Sequence, residues 1–239
     1  MALTNQRKNQ LQAAYNLVLS KISEARAASP QKQEVTLVAA SKTRTAEEIN
    51  YLHTLGVNVI GENRVQELCD KFNELNPDLE IHFIGALQRN KVKYIIDKVS
   101  LIHSVDRLSL AEEINRQAEK HQKIMDVLCE VNLGETQKSG VCPKELPTLL
   151  AQMQKLKNVR VRGLMAVPPI CNTPEEQFAI SEKFMKIFID NCTQNIDNSI
   201  MHIASFGMSE DFPAAIRAGS NMIRVGSALF GARDYSKSH

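Results

Sequence analysis

The stretch VTLVAASKTRTAEEINYLHTLG, residues 35–56, holds the unit from which the fold is read. Its first seven residues are a nearly continuous apolar run with β-branched members, the pattern of a strand buried on both faces. From Thr45 to Leu55 the apolar period becomes that of a helix. Thr45 and Glu48 have capping-box spacing at its start, and Gly56 supplies its end. Outward from this unit the same alternation runs on. Further strands are predicted at 57–61, 80–87, 100–106, 124–132, 159–167, 199–205 and 221–226. The helices between them carry Val65, Leu68, Cys69 and Phe72, then Val92, Ile95 and Ile96, then Ala111, Ile114 and Ala118. Later helices carry Leu146, Leu149, Leu150 and Met153, then Ile180, Phe184, Ile187 and Phe188, and a last one runs from Ser209 to Ala218, closed by Gly219. Upstream, residues 3–28 set Leu11, Ala14, Tyr15, Val18, Ile22 and Ala25 on one stripe, a leading amphipathic helix. Eight such strands predict an α/β protein, a (β/α)8 barrel of the TIM type over 35–231, within a single domain spanning 1–239. The runner-up is an open doubly wound sheet. It normally shows a glycine-rich loop after its first strand, whereas residues 40–45 read ASKTRT.

Composition narrows the function. The 239 residues hold 29 Lys+Arg against 27 Asp+Glu, and 29 − 27 leaves a net charge of +2, so no nucleic-acid partner is expected. The longest apolar run is four residues, as at Leu37 to Ala40, against about twenty for a membrane span. No membrane segment is expected. The N-terminus lacks the apolar core of a secretory signal, which makes the cytoplasm the expected address. Five cysteines, at 69, 129, 142, 171 and 192, are odd in number with no C-x-x-C pair, and read as reduced, mostly buried thiols. On that reading the sequon at Asn191 is a chance match.

In a barrel, chemistry gathers where the strands end. The residues there are Ser41 and Lys42, Glu62 and Asn63, Gln88, Asn90 and Lys91, Asn132 and the segment Gln137 to Gly140, Arg162 to Met165, Ser205, Gly207 and Ser209, and Arg224, Gly226 and Ser227. All are expected at one mouth. A desolvated lysine at position 42, with cations nearby, would present a neutral amine able to attack a carbonyl, which is Schiff-base chemistry. On position alone, a solvated lysine at a strand end is the simpler reading. The small residues at 205–209 and 224–227 let backbone N–H groups approach an anion, and the loops after strands seven and eight are the usual phosphate cradle of such barrels. The alternative is that these glycines only form turns and Ser209 only caps a helix. Arg224 shares the face of Gly226 and can donate to a pyridine nitrogen without giving up its proton, or else pair with a carboxylate. His82, His103 and His202 lie in predicted strands and read as packed, hydrogen-bonded groups rather than metal ligands. No H-E-x-x-H, G-x-S-x-G, G-x-x-x-x-G-K-[ST] or G-x-G-x-x-G motif occurs.

Several motifs stand together: Ala39-Ala40-Ser41-Lys42-Thr43, Gly61-Glu62-Asn63-Arg64-Val65-Gln66-Glu67, the run from His82 to Lys91, Lys138-Ser139-Gly140, Arg162-Gly163-Leu164-Met165, Phe206 to Asp211, and Ile223-Arg224-Val225-Gly226 to Gly231. In this order they resemble the pyridoxal phosphate homeostasis proteins, relatives of the alanine racemase N-terminal barrel. The resemblance implies pyridoxal 5′-phosphate held as an internal aldimine on Lys42. It further implies phosphate contacts from Ser205, Gly226 and Ser227, Arg224 facing the pyridine nitrogen, Asn63 beside the ring, and His82 and Met165 near the pocket. Lys138 falls in a family loop to which no role is given. Where many members read Leu-Ser-Met-Gly-Met-Ser, this chain has Ala204 to Ser209, with Phe206 in place of the first methionine.

Racemases of this lineage add a C-terminal β-domain that supplies a tyrosine as second base, and the tyrosines here are at 15, 51, 94 and 235. The implied role is therefore cofactor binding in vitamin B6 homeostasis without substantial amino-acid catalysis. A small pyridoxal phosphate-dependent amino-acid racemase is the alternative, and a Schiff-base aldolase a third reading. The expected partner is the small-molecule cofactor; its delivery to apo pyridoxal phosphate enzymes, its buffering and its sensing stay open as roles, and a monomer is expected.

Overall fold

A computed structural model describes residues 3–134, 139–192 and 201–232. Eight parallel strands form a closed barrel: β1 (Thr36–Ala40), β2 (Val59–Glu62), β3 (Glu80–Phe83), β4 (Leu101–Val105), β5 (Met125–Glu130), β6 (Val159–Met165), β7 (Ile203–Ser205) and β8 (Met222–Val225). The first strand pairs with both β2 and β8, with Val38 opposite Val59 on one side and Arg224 on the other. The β7–β8 pair is the thinnest, and Ser220 staples it, its hydroxyl lying 2.9 Å from the Ala204 carbonyl and 2.7 Å from that of Phe206.

Alternation along each strand makes two apolar compartments. Ala39, Ile60, Phe83, Ile102 and Ile223 point out against the helices and join one large core, while Val38, Val59, Leu101, Leu128, Met165 and Met222 fill the barrel interior. The outer layer consists of α1 (Asn5–Ala28), α2 (Ala46–Thr54), α3 (Val65–Lys71), α4 (Leu108–Lys120), α5 (Leu146–Met153), α6 (Pro174–Cys192), α7 (Phe212–Ala218) and the single turn α8 (Ser227–Phe230). Thr4 caps α1, whose buried stripe is Leu11, Tyr15, Val18, Ile22 and Ala25, with Ala14 half-buried. Both halves of the Thr45/Glu48 capping box form, and Gly56 ends that turn at φ 113°. Arg7 bonds Glu48 and donates to the Phe230 carbonyl at 2.8 Å, tying α1 to α2 and α8. Phe206 stacks on Phe184 of α6 with ring centroids 4.8 Å apart, so the residue that departs from the family pattern is absorbed by the outer core.

Three expectations are corrected. The third strand stops at Phe83, four residues early, because the chain turns at Gly85 to cross the Asn63 backbone, and a Cβ there would lie 2.2 Å from the Asn63 carbonyl oxygen. The helix expected around Val92, Ile95 and Ile96 is a 3-10 segment, Arg89–Tyr94. Those three residues are buried while Arg89, Asn90, Lys93 and Tyr94 are exposed. A single tight turn with i to i+3 spacing suffices for so narrow an apolar edge. Of the five free thiols only Cys129 is fully buried, and burial pushes it up to about 12, whereas Cys142 is exposed. Residues 199–200 of the expected seventh strand lie outside the described residues. Among those described, no helix is long and apolar enough to cross a membrane.

Candidate functional site at the barrel mouth

Lys42 follows Ala40 at strand period two, which puts it on the inner face above Val38. The turn that carries it is strained at Thr43, a β-branched residue at φ 64°. An ionic clamp on the outer side holds that turn. Lys71 of α3 donates to the carbonyls of Ser41 (3.2 Å) and Arg44 (3.3 Å), one on each side of Lys42 and Thr43. It is neutralised by Glu62 at 2.8 Å and Glu67 at 3.0 Å, the Ser41 hydroxyl also bonds Glu62, and Glu67 accepts the Thr43 amide. Ser41 and Glu62, expected at the mouth, thus face the helices, since each stands one residue out of phase with its inward neighbour. Asn63 keeps the inner phase of β2 beside Gly85. Its Oδ1 is buried and has no hydrogen-bond partner among the described residues.

Arg224 is buried in the interior, 5% exposed. Its Nη1 donates to the Ser205 carbonyl (2.8 Å) and hydroxyl (2.7 Å), and its Nη2 to the Ala166 carbonyl (2.8 Å). Three of the five guanidinium N–H groups are so used, and the other two have no protein partner among the described residues. Burial lowers the guanidinium to about 10, while Glu130 and Asp211 favour its charge. It remains a cation at neutral pH. Glu130 and Asp211 are themselves raised by burial, with Glu130 accepting from the Ser139 hydroxyl at 2.6 Å and Asp211 from the Met208 amide at 2.6 Å.

Ser205 was expected to contact a phosphate, yet its hydroxyl lies below the mouth, between Arg224 and His103 Nδ1 at 3.2 Å. The serine standing at the junction of the two loops is Ser209. Its Oγ accepts from the amides of Gly226 (3.1 Å) and Ala228 (3.2 Å). Gly226 lies against β1, where a Cβ would be 3.3 Å from the Ala40 carbonyl oxygen, and so brings this cradle to the strand that leads into Lys42. Ser227 is exposed as the first residue of α8. Met165 is part of the apolar floor. His82 and His103 are buried and hydrogen-bonded as expected, whereas His202 is exposed. Arg162, expected at the mouth, instead lies 3.6 Å from Asp126, near the starts of its strand and its neighbour's. Gln137 and Lys138 lie outside the described residues. No group of three or more metal-ligating side chains occurs among the described residues.

The interior thus offers an inward amine just past the first strand, a buried orphan acceptor just past the second, a fixed cation on the last, and a small-residue cradle beside it. That set fits a flat polar ring bearing an aldehyde and an anionic tail. The family model described as alanine racemase, N-terminal domain, matches residues 9–234, which makes this a barrel of that class. A protein of Aquifex aeolicus (strain VF5) named pyridoxal phosphate homeostasis protein is 45% identical over 201 residues, 83% of this chain and 87% of that one. The protein of that name from Escherichia coli (strain K12) is 41% identical over 212 residues, covering 86% and 88%. PipY of Synechococcus elongatus PCC7942, solved with PLP bound, superposes with a TM-score of 0.82 at 32% identity, covering 93% of this chain and 100% of that one. The chain belongs to the pyridoxal phosphate homeostasis protein family.

Proposed function

We propose that this chain binds pyridoxal 5′-phosphate at the barrel mouth and serves cofactor homeostasis rather than amino-acid turnover. The observation that carries the reading is the convergence of Lys42, Asn63, Arg224 and Gly226 on one interior face, with two guanidinium N–H groups and Asn63 Oδ1 left for a ligand. When bound, the cofactor supplies an aldehyde that condenses with amines and a ring that withdraws electrons. Lys42 would hold the aldehyde carbon through its amine. Ser227 would bind the phosphate through its backbone N–H and Gly226 by exchanging its amide's bond to Ser209 Oγ for one to the phosphate, with Ser209 beside them, while Ser205 supports Arg224 instead. Asn63 would accept from the ring substituent nearest to it, Met165 would floor the site, and His82 would act from beneath. Arg224 does not surrender its proton, so a ring nitrogen that it faces stays unprotonated and withdraws electrons weakly. A weaker electron sink favours holding the cofactor over turning over amino acids.

The pure protein with the cofactor should absorb in the visible, and mass spectrometry after borohydride reduction should place a pyridoxyl adduct on Lys42. Lys42→Ala should lose both signals. An unchanged spectrum in that variant removes Lys42 from the site, and α-proton exchange of a common amino acid into deuterated water at useful rates would overturn the non-catalytic part. In this reading the chain acts as a single-domain cytoplasmic monomer that delivers the cofactor to apo-enzymes, buffers it or senses it. Sedimentation and the rate of reactivation of an apo-enzyme by the loaded protein check those points.

A further inference from the structure

A chain of hydrogen bonds crosses the barrel interior from Arg224 to the opposite end. Arg224 Nη1 lies 2.7 Å from Ser205 Oγ, Ser205 Oγ 3.2 Å from His103 Nδ1, His103 Nε2 3.0 Å from His82 Nδ1, and His82 Nε2 3.0 Å from Glu80 Oε1. Glu80 opens β3, at the end of the barrel away from the mouth, and its side chain is half exposed. Ser100 donates to the same Glu80 oxygen at 2.9 Å. Four links join five residues drawn from β3, β4, β7 and β8.

With both imidazoles neutral, the carboxylate end decides the direction. Arginine only donates and an ionised carboxylate only accepts. The hydrogen bond from His82 holds the Glu80 carboxyl below the usual carboxylate range, and burial holds His103 well below the ordinary imidazole range. Working up from Glu80, His82 must carry its proton on Nε2, which leaves Nδ1 to accept. His103 must then also carry its proton on Nε2, and Ser205 must donate to His103 Nδ1. The Ser205 oxygen then keeps its lone pairs for acceptance, one of them from Arg224 Nη1. Counted with the Nη1–H of Arg224, four protons fill the four links with none missing and none opposed.

We infer that Glu80, His82 and His103 are positioning residues that act through Ser205 to fix the Arg224 guanidinium in the binding site. The inference rests on the proposed function only for what Arg224 faces. The charged groups otherwise near the guanidinium are Glu130 and Asp211. Neither touches the histidine chain in the hydrogen bonds described.

Nitrogen NMR of the unliganded full-length protein at neutral pH tests the chain without reference to any ligand. Both histidines should show the neutral Nε2–H form, and an Nδ1–H form or an imidazolium at either position overturns the inference. A pair of variants then separates relay from packing. His82→Gln can accept from His103 and donate to Glu80, so it should preserve the His103 tautomer and leave pyridoxal phosphate affinity within about threefold. His82→Leu keeps the bulk and breaks the relay. It should mix the His103 tautomers and weaken the affinity about tenfold, with a shifted visible absorption if the ligand is bound through Arg224. Equal affinities for the two variants, both folded, would overturn the role. If His82→Leu does not fold, the wild-type tautomers and the His82→Gln variant decide the matter alone. Failure of the wild type to bind the cofactor would reject the proposed function and leave the tautomer result standing.

Discussion

The two faces of the same strands differ in what they bury. Outward residues such as Ala39, Ile60, Phe83 and Ile223 meet helices in one continuous apolar core. Inward residues form a small plug at Val38, Val59, Leu101, Leu128, Met165 and Met222, overlain by Lys42, Asn63, His103, Ser205 and Arg224. Burying apolar surface stabilises by roughly 25 cal/mol per Å2, whereas a buried polar group at best recovers its desolvation through a good hydrogen bond. The outer face therefore carries the stability of the fold. The inner face uses the rigidity so gained to hold charges that would otherwise relax towards water.

That contrast can be broken from either side. Phe184→Ala removes half of the stacked pair on the outer face and should cost about 3–5 kcal/mol in urea unfolding, with the cofactor affinity of the folded protein unchanged. A large loss of affinity there would show that the two faces are not separable. Lys71→Met leaves Glu62 buried without its cation and should cost about 3 kcal/mol, and here affinity should fall too, because the clamp around the Lys42 turn is lost. Titration of the variant with pyridoxal phosphate checks it. Ser205→Ala strips one acceptor from Arg224 and one donor from His103, an effect of about 1–3 kcal/mol on stability, with weaker binding as its companion. Smallest is the effect of Glu130→Gln, read as a pH profile of Tm. Burial raises the native Glu130 above its unfolded value, so the native state binds the extra proton. The associated stability is full below the ordinary carboxylate range and is lost as pH rises through the native value. The variant should flatten that decline by on the order of a degree or two in Tm, and a steeper decline would assign the wrong sign to the group.

The barrel was legible because each strand is a short apolar run bounded by polar turns, and the α1 stripe because five of its six expected members are buried. The 3-10 segment was not, since Val92, Ile95 and Ile96 satisfy a helix and a tight turn equally. Lys42, Asn63 and Gly226 could be picked out by lying just past strand ends in the inward phase, and Arg224 by sharing the phase of Gly226 within β8. Ser41 and Glu62 were misplaced by one residue of parity, and Lys71 was overlooked because its partners are set by how α3 packs, which no local pattern reports. Ser209 was visible only as a helix cap, and its place beside Gly226 depends on two loops meeting. The histidine relay needed the registers of β3 with β4 and of β7 with β8.

Lys42 stands just past the first strand of the barrel and Arg224 within the last, and the two meet only because β8 closes onto β1. A polypeptide still emerging from the ribosome has the amine long before it has the guanidinium, and so has no complete pocket until β8 has been made. Capture of the vitamin can therefore report that the ring has closed, and a ligand present during biogenesis would favour finished molecules over partial ones.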